Sequence, residues 1–123
     1  SIYMFYKTIM QLIKLNKNPK QINHLIFFSK DELKSILQLY SIQVANGILK
    51  DYAIDYGKKL AVFSFYRHTY DKPLFEIEKY TNKKNKFITE FIVKYNKKII
   101  EKSKSLNIIL NRLEKKFSIL KLN

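Results

Sequence analysis

Residues 51–79, DYAIDYGKKLAVFSFYRHTYDKPLFEIEK, decide the fold. Tyr52, Ile54 and Tyr56 alternate with Asp51, Ala53 and Asp55, the period of two that belongs to a pleated strand. Gly57-Lys58-Lys59 then marks a tight reversal, with Gly57 able to take a positive φ. Leu60 to Arg67 reads as a second strand, apolar on both faces for much of its length and therefore central in its sheet. His68 to Lys72 form a loop. Pro73 opens a third strand through Tyr80, at a position where a missing amide is tolerated.

Upstream of Asp51 the period is 3.6. Ser29 stands three residues before Glu32, a capping box that gives two orphan amides a partner at a helix start. Asp31 and Glu32 also lie where the helix dipole favours negative charge. Leu33, Ile36, Leu37, Tyr40 and Val44 make one apolar stripe, and Asn46-Gly47 supplies a left-handed stop. Ahead of this helix, His24 to Phe28 is either a first strand or an extended lead-in.

Downstream, TNKKNK is a polar turn, Phe87 to Tyr95 a fourth strand, and KKIIEK a short fifth one folding back. Ser103 or Ser105 caps a last helix whose stripe is Leu106, Ile109, Leu110, Leu113, Phe117 and Leu120. The expected fold class is α+β: an antiparallel meander of four to five strands, roughly 51–56, 60–67, 74–80, 87–95 and 97–102, with helices 30–46 and 105–118 packed on one face. A further helix is expected over 2–15, where Phe5, Ile9, Leu12 and Ile13 recur at helical spacing. That run is too short to span a bilayer and no Ala-x-Ala-like site follows it, so neither a membrane span nor a secretory signal is expected. The division is an N-terminal helix and linker, 1–21, and a single α+β domain, 22–123.

The 123 residues carry a formal net charge of +14, and only Arg67 and Arg112 among the 24 basic residues are Arg. Lys, Asn, Ile, Tyr and Phe are abundant, and all five have AT-rich codons, so codon drift can account for part of the charge. Its distribution says more than its sum. Residues 1–30 hold five Lys and no acid, 31–78 are near neutral, and 79–123 hold thirteen bases against Glu90, Glu101 and Glu114. Cysteine is absent, which excludes disulfides and thiolate metal sites.

The stretches DYAID (51–55), AVFS (61–64) with Arg67, Pro73-Leu74 and Ile77-Glu78-Lys79 resemble the alphaproteobacterial family catalogued as domain of unknown function 2794, and DELKSIL (31–37) resembles its first helix. The similarity runs over roughly residues 25–118 and is absent from 1–20. The chain departs from the pattern at His68, where a second base is expected after Arg67. The resemblance implies a free-standing bacterial, cytoplasmic domain and brings no activity with it.

Candidate chemistry is sparse. Asp51 and Asp55 on one strand face stand about 13 Å apart, too far to share a proton or a metal, and Glu76 and Glu78 about 7 Å apart. No Gly-x-Ser-x-Gly, phosphate loop or Cys nucleophile is present, and Ser64 lies between two Phe inside a strand. Catalytic residues, a metal and a cofactor are therefore not expected, and the chain does not read as an enzyme. Arg67 stands out in a chain that uses Lys almost everywhere, because its planar fork suits a phosphate or a carboxylate; its bland role is a cross-strand pair with Asp55, Glu76 or Glu78. The expected ligand-binding set is Arg67, His68, Tyr52 and Asp55, with Tyr52, Tyr56, Tyr66 and Tyr70 on an exposed face. Two functions stay open. One is a protein-interaction or regulatory module that docks or dimerises through the N-terminal helix and an open sheet edge. The other is a nucleic-acid or polyanion binder using Lys83, Lys84, Lys86, Lys94, Lys97 and Lys98.

Overall fold

The computed structural model of the chain describes residues 25–69, 71–82, 84 and 88–121. The helix expected over 2–15 lies outside them, as do His24, Tyr70 and Phe87. The order is α1 (Lys30–Ala45), β1 (Asp51–Tyr56), β2 (Leu60–Tyr66), β3 (Phe75–Thr81), β4 (Thr89–Tyr95), β5 (Lys98–Ser103) and α2 (Leu106–Lys121). The five strands form one antiparallel sheet in the order β1-β2-β3-β4-β5, the expected meander.

The capping box closes as its spacing requires: Glu32 N donates to Ser29 Oγ at 3.1 Å and Ser29 N donates to Glu32 Oε1 at 2.6 Å. Gly47, at φ 76°, ends the helix in the left-handed region, where a Cβ would be strained. At α2 the two candidate serines divide the work. Ser105 Oγ accepts from Ile108 N at 3.4 Å, and Ser103 Oγ accepts from Ser105 N at 3.0 Å. The described part of the lead-in makes one antiparallel bridge, Ile26 to Gly57, and no strand of the sheet.

Register puts one residue set of each strand under the helices. Ala61, Phe63 and Phe65 of β2, Phe75 and Ile77 of β3, and Phe91 and Val93 of β4 are all buried in one cluster with Leu33, Ile36, Ile109, Leu113 and Phe117. Both helices therefore roof the same face, as expected. Rings carry much of the packing: Phe117 meets Phe75 edge-on at 5.3 Å and Phe65 at 5.7 Å. Lys79, on the same face, donates to Glu32 at 2.6 Å and to the Phe27 carbonyl at 2.8 Å, tying the start of α1 and the lead-in to β3.

Three expectations are corrected. Val44 is 43% exposed, and the last inward turn of α1 is made by Leu39 and Gln43 instead, because the helix rotates past its stripe over four turns. Gly57 does not take a positive φ; a Cβ there would stand 3.1 Å from the Leu60 carbonyl, so close approach is what favours Gly. The positive-φ reversal lies between β4 and β5, at Asn96 (φ 50°) and Lys97 (φ 68°). Tyr52 and Tyr56 do not sit on an exposed face: they pack against the core from the helix side of β1.

The second face of the sheet has a different character. Alternation from the paired residues places Asp51, Ala53 and Asp55, Leu60, Val62, Ser64 and Tyr66, Glu76, Glu78 and Tyr80, and Glu90, Ile92 and Lys94 there. Lys102, opposite Ile92, and Ile99, opposite Lys94, complete it from β5.

Candidate functional site

In a meander every second turn falls at the same end of the sheet. The β2–β3 loop and the β4–β5 turn therefore meet. Arg67, Asp71, Lys72, Pro73 and Leu74 from the first and Tyr95 and Asn96 from the second line an open cleft of about 190 Å³. Leu74 N donates to the Phe65 carbonyl at 2.7 Å, which holds the loop against β2. Tyr95 packs on Phe75 with ring centroids 5.6 Å apart, so the far wall is anchored to the core while the ring stays half exposed.

Arg67 is exposed and makes no ion pair or hydrogen bond with any described residue. The cross-strand pair with Asp55, Glu76 or Glu78 does not form. Glu78 instead takes Lys94 at 3.1 Å and the Tyr80 hydroxyl at 2.7 Å, and Glu76 receives a long 3.5 Å contact from Ser64. Asp55 is paired in register with Val62, one strand length away from the cleft. A guanidinium beside Lys72, with the Lys97 and Lys98 backbone immediately after Asn96, makes this end of the sheet cationic, Asp71 being the one acid in the cleft wall.

The four expected ligand residues are thus only half assembled. Arg67 and His68 stay together at the loop. Tyr52 lies under the helices, stacked on Phe63 at 5.3 Å and edge-on to Tyr40 at 4.8 Å, with its hydroxyl pKa raised by burial, by Tyr40 and by Asp51. It is a packing residue, and Asp55 stands at the opposite end of β1. Lys72, Tyr95 and Asn96 were not expected, although the alternation of turns in a meander is the signal that would have joined residues near 70 to residues near 96.

The lysines named for nucleic acid do not form one track. Lys97 and Lys98 belong to the Arg67 end, and Lys84 lies on the β3–β4 turn at the other end. Lys94 is spent on Glu78 across the second face, and Lys83 and Lys86 lie outside the described residues. No group of three or more His, Asp or Glu able to hold a metal occurs among the described residues, and no helix of theirs is long and apolar enough to cross a membrane.

No curated protein and no solved structure matches the chain. One family does, over residues 26–110, from the lead-in into the second turn of α2. The stretch contains all five strands, the capping box and the Arg67 cleft, and on that match the chain belongs to the family described as "Protein of unknown function (DUF2794)".

Proposed function

We propose that this domain is a non-enzymatic interaction module that takes an acidic segment of a partner protein at the Arg67 end of its sheet. The observation that carries the reading is the Arg67 guanidinium, exposed in an open cleft with no carboxylate partner. An Arg fork binds a carboxylate by two parallel hydrogen bonds, and Lys72 adds a second positive charge beside it. Tyr95, Pro73 and Leu74 offer the apolar wall that a side chain next to that carboxylate would cover.

A protein partner fits better than a nucleic acid for an electrostatic reason. The face with aromatic rows that could stack bases is closed by α1 and α2. The opposite face carries Asp51, Asp55, Glu76, Glu78 and Glu90, with Lys94 and Lys102 already paired there, and so gives a long polyanion no free cation to bind among the described residues. A short acidic segment needs only the loop end.

Fluorescence anisotropy with a labelled Glu- and Asp-rich peptide tests the reading. The full chain should bind the peptide, and Arg67→Ala should weaken binding about tenfold or more, the loss of one charge-assisted bidentate contact. Equal binding by both proteins would overturn it. Tighter binding to a single-stranded oligonucleotide, falling steeply with salt, would transfer the assignment to nucleic acid.

A further inference from the structure

The second face of the sheet is partly buried although both described helices pack on the other side. Ser64 is 4% exposed, Glu78 6% and Ile92 8%, and none of the three belongs to the core cluster beneath the helices. This is a second zone of burial. Around it the face mixes apolar groups (Ala53, Leu60, Val62 and Ile99) with five carboxylates, Asp51, Asp55, Glu76, Glu78 and Glu90. Among the described residues only Lys94 and Lys102 oppose them, and each is already held, by Glu78 at 3.1 Å and by Glu90 at 3.3 Å. In a chain of net charge +14, half of the ten acids stand on one face.

We propose that residues 2–15 of this same chain cover that face, with their apolar stripe on the sheet. Three observations select this occupant. Residues 1–30 hold five lysines and no acid, so the segment brings no carboxylate to an acidic face and its net charge complements it, while Lys7 and Lys14, opposite the stripe, stay in water. Its Phe5, Ile9, Leu12 and Ile13 recur at helical spacing and supply the apolar contact that Val62 and Ile92 call for. The chain also arrives at the right place: Ile26 N donates to the Gly57 carbonyl at 2.8 Å, at the turn that ends β1. From there residues 16–24 reach roughly 30 Å when extended, enough to regain the face. Fourteen residues of helix measure about 21 Å, against about 19 Å across five strands. The inference is independent of the Arg67 cleft, which lies at the end of the sheet and not on this face.

Because the chain lacks cysteine, a single Ala53→Cys or Lys102→Cys substitution gives a unique site for a photo-cross-linking maleimide at either side of the face. In the full chain, peptides cross-linked from both sites should contain residues 2–15, on a band of monomer mass. Ile9→Asp with Leu12→Asp, which puts charge into the stripe, should reduce that yield several-fold while circular dichroism keeps the strand signal. Cross-links that join two chains would assign the face to a second copy, and sites that capture nothing from residues 2–15 would assign it to another partner; either result overturns the proposal. Should the doubly substituted chain fail to fold, the cross-link map of the chain with its native stripe decides alone.

Discussion

Lys79 shows how much one side chain can organise. Its ammonium lies on the helix face, opposite Ala61 and Phe91, where a charge is tolerated only with partners. It finds two, Glu32 of the capping box and the Phe27 carbonyl, so one residue of β3 fixes the start of α1 and the path of the lead-in. Lys79→Met should lower the stability by about 2 kcal/mol in urea unfolding, less than for a fully buried pair because Glu32 keeps some water. An unchanged midpoint would remove this role. On the other face Tyr80 donates to Glu78, and burial first, then that hydrogen bond and the Glu78 charge, push its hydroxyl pKa up to about 12. The unfolded chain ionises at the ordinary tyrosine value of 10.0 and the folded chain later. Tyr80 therefore adds pH dependence in one window: stability is flat below pH 10 and falls as the pH rises from there toward 12. Urea midpoints at pH 9 and pH 11 should show a smaller drop for Tyr80→Phe than for the unaltered chain. An equal drop in both would show that Tyr80 is not the group concerned.

At the scale of elements, the reading from residue order was close wherever the signal was local. The capping box, the Gly47 stop and the change of period at Asp51 each depend on neighbours a few residues away, and each element begins where they put it. The six-residue stripe of α2 packs against the core over its whole length, and the helix runs three residues past the expected end at 118, to Lys121. What failed depended on distant partners. Tyr52 and Tyr56 look suited to an exposed face until Tyr40, Phe63 and Phe27 close over them. Val44 keeps the helical period yet faces water, while Leu39 and Gln43 make the inward turn. The β4–β5 turn carries its own prediction. Tyr95 and Lys98 pair around two residues that both have positive φ, the pattern of a type I′ hairpin, for which Asn-Gly is favoured over Asn-Lys. Lys97→Gly should raise stability by about 1 kcal/mol, the cost of a Cβ in the left-handed region. A thermal midpoint that falls on this substitution would refute the assignment.

At the scale of the molecule, the fold sorts charge that looks indiscriminate along the chain. Five of the ten acids gather on the second sheet face, while Arg67, Lys72, Lys97 and Lys98 come to one end from segments 25 to 31 residues apart. Neither grouping could be read from net charge, because register and the alternation of turns create both. The Arg67 half of the candidate site was legible as a lone Arg in a Lys-rich chain; Tyr95 and Asn96 were not, since only the closed meander places them opposite it. Codon bias can supply many lysines, but it does not explain why this guanidinium is left without a carboxylate when Glu76 and Glu78 lie on the next strand. The central claim is that recognition happens at this end. Titration of the isotope-labelled full chain with an acidic peptide, followed by amide chemical shifts, tests it most directly. The account predicts shifts concentrated in residues 66–74 and 94–98 and lost in Arg67→Ala. Shifts centred on the β1–β2 and β3–β4 turns at the opposite end, or none at all at saturating peptide, would contradict it.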